Sequence, residues 1–370
     1  EAASELAMIV RRADAKRAVE LMREAIDIAR TQPEVDDEQH AILANNLATA
    51  VKDAGDYDEA ERLYKESLEL RTRIYAEEHA AVALAINNLG TVQLRKGEMN
   101  AAEASFTKAL AMRRKLLGPE HRMTLNTLEN LTRLDVSRRN YAAAEAGFRE
   151  VLAIRTKIDG PDHTDTLVVQ CELAGILTGE GKLDESDRLL MEALPKVEKL
   201  LGEQKVETWS CRSRLAMLRV MQHRAAEAVP MFRAQVAWQD EHTPGRWVDR
   251  STARQGLAHA LYSLDQYEEA ARAAREALDL LQKESSGETF DKATGRVVLA
   301  KILVQMVKAD ASKAQEARDV LAPALTLYRT DPRVSPAQLA YAEATDAIAL
   351  DGLGRTEEAE ALFLGAIERV

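Results

Sequence analysis

Aromatic side chains are scarce in this sequence, at 4% of 370 residues. Sheet proteins rely on aromatic and β-branched residues, whereas Ala and Leu dominate the apolar fraction here and favour helices. Hydrophobic residues still make up 46% of the chain and charged residues 30%, so it can bury a core and carry a solvated surface. We therefore expect an all-α protein.

Cysteine is almost absent, with Cys171 and Cys211 as the two occurrences. This count excludes the disulfide framework of a small secreted protein and favours two free, half-buried thiols in a reducing compartment. A redox pair is the alternative, which no motif supports. No apolar run approaches the roughly 20 residues that span a bilayer, and no signal peptide is visible. We expect a cytoplasmic protein without membrane insertion.

Motifs for catalysis and for cofactor binding are also missing. The sequence contains no phosphate-binding loop, no nucleophile elbow and no zinc-binding His-Glu-x-x-His. A formal net charge of −11 argues against nucleic acid or an anionic membrane as the main partner. We predict a protein that is not an enzyme and that binds no metal, cofactor or nucleic acid.

A repeat of 42 residues is the strongest pattern that is present. "NNLATAVKDAGDYDEAERLYKESLEL" at 45–70 aligns with "NNLGTVQLRKGEMNAAEASFTKALAM" at 87–112 and with "ENLTRLDVSRRNYAAAEAGFREVLAI" at 129–154. Two columns follow this period. The leucine column is Leu47, Leu89, Leu131, Leu173, Leu215, Leu257 and Leu299. The small-residue column is Ala60, Ala102, Ala144, Ser186, Ala228 and Ala270, where two helices are expected to cross closely.

Each repeat predicts two helices joined by a polar turn, because apolar residues recur at helical spacing on both sides of it. No linker or change in composition interrupts the chain, so we predict a single solenoid domain. Its predicted parts are a partial repeat at 1–37, full repeats at 38–79, 80–121, 122–163, 164–205, 206–247 and 248–289, and degenerate repeats with C-terminal helices at 290–370.

These columns resemble the tetratricopeptide repeat, in the 42-residue form found in kinesin light chains and many bacterial proteins. The family's second-helix Ala and aromatic match Ala60/Tyr64, Ala102/Phe106 and Ala144/Phe148, and its inter-repeat segment matches "GPEHRMT" and "GPDHTDT". The resemblance implies a right-handed superhelix of helix pairs with a concave groove that binds peptides or proteins. It does not name the ligand.

The segment "IDGPDHTDTL" at 158–167 gathers residue types that are used in active sites. Its histidine recurs once per repeat, as His79, His121 and His163. Neighbouring repeats stack about 8–10 Å apart, whereas metal ligands converge to about 2 Å from one ion. We therefore expect these histidines to serve helix starts and stacking, with Asp162 or Thr164 as candidate N-caps.

Asparagines recur in the first helices of the early repeats, although Asn is a mediocre helix former. They could bond to a peptide backbone in the groove, or to the neighbouring repeat, and the sequence does not separate the two. The groove positions of the family, carried over by residue, predict a site that is polar and locally basic early and apolar later. The predicted site residues are Asn45, Thr49, Lys52, Asn87, Asn88, Thr91, Arg95, Asn126, Asn130, Arg133, Met217, Met221, His259 and Tyr262.

Two further features bear on function. Trp209, Trp238 and Trp247 fall in one repeat and its following loop, where the Gly-Pro-Asp-His pattern is lost, so 201–250 is expected to hold something particular to this protein. The last helix, "EEAEALFLGAIERV", has an apolar face with no capping helix after it. It is expected to pack against more chain, a partner or a second copy in a homo-oligomer.

Our first functional hypothesis is a non-enzymatic scaffold that binds a peptide or protein segment in the groove. The second is a regulatory or sensor module cut from a larger bacterial signalling protein, such as a kinase or a transcription regulator. The chain starts "EAASELAMIV" without an initiator Met, which motivates the second hypothesis. A catalytic solenoid is a third, without any supporting constellation.

Overall fold

The computed structural model describes residues 15–30, 36–75, 77–284, 287–331 and 334–369. Within these ranges the chain forms seventeen helices and no strand, which confirms the all-α prediction. The helices are α1 Ala15–Arg30, α2 Asp37–Asp53, α3 Tyr57–Ile74, α4 Ala80–Arg95, α5 Met99–Leu117, α6 Arg122–Ser137, α7 Tyr141–Ile158, α8 Thr164–Gly179, α9 Leu183–Leu201, α10 Val206–Met221, α11 Ala225–His242, α12 Trp247–Tyr262, α13 Tyr267–Glu284, α14 Phe290–Met306, α15 Ser312–Tyr328, α16 Pro336–Gly352 and α17 Thr356–Ile367.

From α2 onward the helices alternate between two roles. We call each even-numbered helix a first helix and the odd-numbered helix that follows it a second helix. First helices recur at about 42 residues, and helices that follow one another pack together within each unit of the fold. The fold is an all-α helical-repeat solenoid. None of the helices in the described ranges is long and apolar enough to cross a membrane.

The chain divides into two compact units, Glu1–Val169 and Gln170–Val370. Unit 1 contains several small buried apolar clusters, one of them around Leu47, Ala60 and Tyr64. In unit 2 one large cluster extends from Ala216 to Ala349. The single domain with the repeat boundaries given above stays a prediction.

The small-residue column lies in the buried core, as its steric argument requires. All six of its members are fully buried, namely Ala60, Ala102, Ala144, Ser186, Ala228 and Ala270. The first helix of the pair is equally crowded. A Cβ added at Gly90 on α4 would lie 2.8 Å from the Phe106 ring on α5. In the next repeat the order is reversed. Thr132 stands at the Gly90 position, and the second helix has Gly147 opposite it, where a Cβ would lie 2.3 Å from the Thr132 hydroxyl oxygen.

The turn inside most hairpins contains one residue in the left-handed conformation. Gly55 and Gly97 have φ of 95° and 79° there, which glycine adopts without strain. Arg139 and His223 stand at the same position of later repeats, each with φ of 59°. The turn geometry is therefore set by the two packed helices, since side chains other than glycine are held in the same conformation.

The recurring histidines cap the first helices. His79 Nδ1 accepts from the Ala81 amide at 3.2 Å, and His121 Nδ1 accepts from the Met123 amide at 3.1 Å. His163 Nδ1 does the same for the amide of Asp165 at 3.2 Å. Their helix-start role is as expected, because the imidazole itself accepts an orphan amide. The candidate caps Asp162 and Thr164 stay predictions.

Buried arginines connect a second helix to the first helix that follows it in unit 1. Arg113 Nη1 donates to the Met123 carbonyl at 2.7 Å, and Arg71 makes the equivalent bond to the Ala81 carbonyl at 2.8 Å. Arg155, one repeat later, pairs with the carboxylate of Glu129 on the preceding first helix and, at 3.3 Å, with that of Asp165 on the following one. The 42-residue period relates these three arginines, which lie one residue past the aligned segments, but neither the column nor its joining role was predicted.

The two cysteines form a disulfide, which corrects the expectation of free thiols. Cys171 in α8 and Cys211 in α10 are each 1% exposed, and their Cα atoms lie 5.5 Å apart. Alignment by the 42-residue period placed Cys171 opposite Ser213 instead. Adjacent first helices meet through residues 40 positions apart at this point, so the period concealed the pairing.

Candidate binding faces on the first helices

In unit 1 the exposed side of α2, α4 and α6 is lined by polar residues. We call it the asparagine face and define it by Asn45, Asn46, Thr49, Asn88, Thr91, Arg95, Asn126, Asn130 and Arg133. Residues three and four positions apart share one side of a helix. Asn126, Asn130 and Arg133 therefore project from one side of α6. The positions 42 and 84 residues earlier are polar for Asn130 and Arg133 but apolar for Asn126, namely Asn88 and Asn46, Thr91 and Thr49, and Leu84 and Ile42.

The asparagine side chains are linked from repeat to repeat. Asn88 Nδ2 donates to Asn45 Oδ1 at 2.9 Å, and Asn130 Nδ2 donates to Asn87 Oδ1 at 3.3 Å. Within each first helix, Asn45 Nδ2 donates to Asn46 Oδ1, and Asn87 Nδ2 to Asn88 Oδ1, both at 3.4 Å. These bonds form one chain of amides across three repeats. The bonds to the neighbouring repeat, which the sequence left open, are therefore present.

Each amide in this chain keeps unused hydrogen-bonding capacity. A carboxamide has two N–H donors and an oxygen with two lone pairs, and Asn45 and Asn88 each give one donor and one lone pair to their neighbours. Asn87 is only 8% exposed, so its contribution is mainly to the link itself. The amides nearer the surface are held in place and can still bond to an added group.

The predicted threonines are engaged by their own unit. Thr49 donates to the Asn45 carbonyl at 2.9 Å, so the Tyr64 hydroxyl at 2.9 Å is the donor to Thr49. Thr91 donates to the Asn87 carbonyl at 3.1 Å. Both hydroxyls satisfy backbone acceptors along the asparagine face and have little left to offer a ligand.

The predicted cations differ in how firmly they are held. Lys52 lies 3.5 Å from Asp53, and Arg133 lies 3.4 Å from Glu129. Arg95 is exposed at the end of α4 and has no ion-pair partner in the described part of the chain. Asn126 is exposed as well, and its amide bonds to no described residue. Of the predicted residues in unit 1, Arg95 and Asn126 are the most available to a ligand.

The remaining predicted residues lie on first helices of unit 2. Met217 is partly buried against the large apolar cluster, which is the core role that the sequence left open, whereas Met221 is 43% exposed. Tyr262 lies under Lys301, whose Nζ is 4.4 Å from the ring centroid. Loss of surrounding water and then the charge of Lys301 lower the pKa of His259. Lys301 belongs to this face and was not among the predicted residues.

One absence bears on the chemistry of these faces. No group of three or more His, Cys, Asp or Glu side chains in the described ranges could hold a metal ion. The faces offer amides, cations, a phenol and thioethers, which suit recognition of a polypeptide more than bond cleavage. The predicted site residues lie on first helices of both units.

Two family models, both described as "Tetratricopeptide repeat", match the sequence. One matches residues 1–73, 39–115 and 81–157, and the other matches 251–286, so together they cover more than half of the 370 residues. A search of curated protein sequences finds no match.

Solved structures share the fold at low identity. A Rap protein in complex with Competence and Sporulation Factor matches 100% of this chain and 96% of its own, at 14% identity and a TM-score of 0.66. A Signal Transduction ATPase with Numerous Domains from Pyrococcus horikoshii, which has a tetratricopeptide repeat sensor, matches 89% of this chain and 46% of its own, at 12% identity and a TM-score of 0.57. Kinesin light chain TPR-like repeats from Podosopora anserina match 57% of this chain and 99% of their own, at 20% identity and a TM-score of 0.48.

Proposed function

Because the chain belongs to the tetratricopeptide repeat family, we propose that it is a non-enzymatic scaffold whose asparagine face binds an extended peptide. The observation that carries the proposal is the chain of linked amides across α2, α4 and α6. An extended peptide presents alternating N–H and C=O groups, and a carboxamide can bond to both. The amides are held before a ligand arrives, so binding loses less side-chain entropy.

The charges of the asparagine face favour an acidic peptide. Arg95 has no ion-pair partner within the described chain, whereas Arg133 is held by Glu129 at 3.4 Å. A carboxylate from a peptide would pair with the Arg95 guanidinium in two-pronged geometry. This local charge runs against the net charge of −11, so it would orient an acidic partner towards one face of unit 1.

Unit 2 supports a second contact of different character. Met221 is accessible, and Tyr262 and Lys301 of the same unit form a cation–π pair. A flexible thioether adapts to apolar side chains of different shape. We propose that this face takes apolar residues of a partner, independently of the asparagine face.

The test uses fluorescence anisotropy with a positional-scanning library of acetylated, amidated nonapeptides. We expect the peptide pools with Asp or Glu to bind best. The Arg95→Glu substitution should weaken the binding of these pools about five- to tenfold. Asn126→Ala with Asn130→Ala should also weaken binding. The free energy of unfolding, measured from the thermal melt of the helices, should change by less than about 0.5 kcal/mol. Asn126 and Asn130 are chosen because their side chains reach the surface, whereas Asn87 is buried.

Arg62→Glu is the matched control, because Arg62 is an exposed arginine on α3, away from the asparagine face. If this variant weakens binding as much as Arg95→Glu, the effect is one of overall charge and the assignment of the face is wrong. Equal binding of acidic and basic pools would contradict the charge argument.

A regulatory or sensor role within a larger signalling protein is the second proposal. It is suggested by the Pyrococcus horikoshii neighbour, in which a tetratricopeptide repeat serves as the sensor. That likeness concerns the fold alone, so the full reading frame of the gene is what tests the proposal. A full reading frame that adds no signalling domain on either side would refute it.

A further inference from the structure

A cavity of about 340 Å³ opens in unit 2 between α10, α11 and α12. Its walls hold two tryptophans and two glutamines, and hydroxyl and charged side chains surround them. The lining residues are Val206, Trp209, Ser210, Ser213, Arg214, Gln235, Trp238, Gln239, Thr243, Arg246, Asp249 and Thr252. This volume is large enough for a small ligand or a side chain.

The aromatic wall has one satisfied and one unsatisfied indole. Trp209 and Trp238 stack with ring centroids 5.4 Å apart. Trp238 Nε1 donates to Gln204 Oε1 at 3.1 Å. Trp209 is 8% exposed, and its Nε1 has no hydrogen-bond partner among the described residues. A buried indole N–H normally finds an acceptor.

Two glutamines of α11 are buried in the same way. Gln235 is 6% exposed and Gln239 is 7% exposed, and the Oε1 atom of each lacks a partner in the described chain. Each such atom costs about 1–3 kcal/mol. Three unsatisfied polar groups around one cavity therefore call for a functional explanation.

The repeats themselves show that packing does not require these side chains. At the positions one repeat earlier and one repeat later, the chain has small or apolar residues at the glutamine sites and Leu or Ser at the tryptophan site. These are Ala193 and Ala277 for Gln235, Val197 and Leu281 for Gln239, and Leu167 and Ser251 for Trp209. Three polar groups were thus placed together in one repeat at positions that elsewhere stack without them.

The charges at the rim are matched by partners. Arg246 Nε lies 2.5 Å from Asp249, and Arg214 lies 4.0 Å from Glu172. An ionic ligand would have to compete with these pairs and lose its own hydration. A neutral polar group meets neither cost.

We propose that this cavity binds a primary carboxamide, carried by the side chain of a peptide glutamine or asparagine or by a free amino acid. A carboxamide offers two N–H donors and one carbonyl acceptor. The donors match Gln235 Oε1 and Gln239 Oε1, and the carbonyl oxygen matches Trp209 Nε1. A carboxylate lacks the donors, and ammonium and guanidinium lack the acceptor.

The three atoms are covered in this structure, so the ligand reaches them when the glutamine side chains turn towards the cavity. Such turning replaces unsatisfied buried atoms with bonded ones. The inference does not rest on the asparagine face, because every residue that forms the cavity lies within 206–252.

The test is a titration of intrinsic tryptophan fluorescence in a Trp247→Phe background, which leaves the two wall tryptophans as reporters. The probes are the tripeptide Ac-Gly-Gln-Gly-NHMe and free L-glutamine, and the comparators carry Glu, Leu or Lys at the central position. We expect saturable binding of the glutamine probes and at least about fivefold weaker binding of each comparator. Binding of the tripeptide alone assigns the site to peptides, and binding of both probes assigns it to carboxamides in general.

Gln235→Ala and Gln239→Leu introduce residues that the next repeat has at the same positions, and each should weaken the glutamine probe about fivefold or more. Trp209→Phe keeps the aromatic wall, removes the N–H and should have a similar effect. Gln305→Ala, at an exposed glutamine of α14, is the matched control and should bind as the parent does. If one glutamine variant fails to fold, the other variant and Trp209→Phe decide. Equal binding of the Glu or Leu comparator, unchanged affinity in these variants, or no saturable signal would overturn the proposal.

Discussion

Arg113 and Arg155 occupy the same position in successive second helices but have different partners. Arg113 is 2% exposed, and its charge is met by the Met123 carbonyl and the Thr127 hydroxyl. Burial lowers its pKa to about 10, so it stays protonated at neutral pH. Arg155 is 5% exposed and forms an ion pair with Glu129. Replacement of each arginine by Met therefore separates the effect of a buried cation from that of a buried ion pair.

The expected costs differ because of what remains after each substitution. Without Arg113, the Met123 carbonyl still accepts from the Thr127 hydroxyl at 3.1 Å, so no acceptor is left unsatisfied. An apolar side chain in place of a buried charge is often neutral, so Arg113→Met should change the free energy of unfolding by less than about 1 kcal/mol. Without Arg155, the carboxylate of Glu129 stays buried.

Loss of one partner of a buried pair costs about 3–5 kcal/mol. Arg133, 3.4 Å from Glu129 but 42% exposed on its side chain, offsets part of this loss. We therefore expect Arg155→Met to destabilise unit 1 by about 2–4 kcal/mol, clearly more than Arg113→Met.

The measurement is urea unfolding followed by circular dichroism, together with amide hydrogen exchange of α6 and α7. Exchange is needed because repeat arrays can unfold in parts, and a single midpoint would then mix the two units. Equal destabilisation by the two substitutions would refute the reasoning, since it would show that side-chain shape, and not the partner of the charge, sets the stability.

Three further predictions follow from the same structure. Replacement of Cys171 and Cys211 by Ala should lower stability by about 4 kcal/mol at most, from chain entropy over a separation of 40 residues, and a thiol assay on the unreduced native protein should detect no free thiol. Gly90→Ala should destabilise by about 1–2 kcal/mol in a thermal melt, because crowding against a buried ring outweighs the gain in helix propensity. Hydrogen bonds from Lys65 and then Lys96 lower the pKa of Glu61. The contribution of Glu61 to the stability of the fold is therefore present above the ordinary pKa of Glu and is lost as the pH falls through the lowered pKa. Lys96→Met should therefore reduce the difference in urea midpoint between about pH 7 and pH 3.

Each of these predictions has a control. Reductant should shift the melt of the parent protein but leave the variant without cysteines unchanged. Gly365→Ala adds a Cβ with nothing within 4 Å and should stabilise its helix by up to about 1 kcal/mol. Lys108→Met removes a cation that lies beside Glu77 and away from Glu61, and the dependence of stability on pH should then stay that of the parent. Opposite results would show that the named contact is not the cause.

The fold was accessible from the sequence because helix packing imposes a period. A small residue is needed at each crossing, and the fully buried Ala102, Ala144 and Ser186 meet this need at a fixed interval. Contacts between residues that are not one full period apart could not be predicted from the sequence. The disulfide joins residues 40 apart and the asparagine bonds join residues 43 apart, because adjacent helices meet at an offset that only their crossing geometry determines.

Part of the candidate site could be predicted from the sequence. The pattern identified Asn88 and Asn130 but could not decide between stacking and binding, since the same amide has capacity for both. Thr49 and Thr91 were carried over from the family, but their hydroxyls are occupied by backbone carbonyls, which a column of sequence does not show. Lys301 was missed because its contact with Tyr262 is made across repeats.

Residues that break the repeat pattern distinguish a binding role from a packing role better than residues that follow it. A residue that recurs in every repeat is explained by stacking, as the buried small residues are. Gln235 and Gln239 do the opposite, because they place unsatisfied polar atoms where the next repeat has Ala277 and Leu281. Stability alone would favour those apolar residues, by about 1–3 kcal/mol for each unsatisfied atom. A repeat that retains the costlier side chains beside a cavity is therefore the place where this solenoid has its own ligand to recognise.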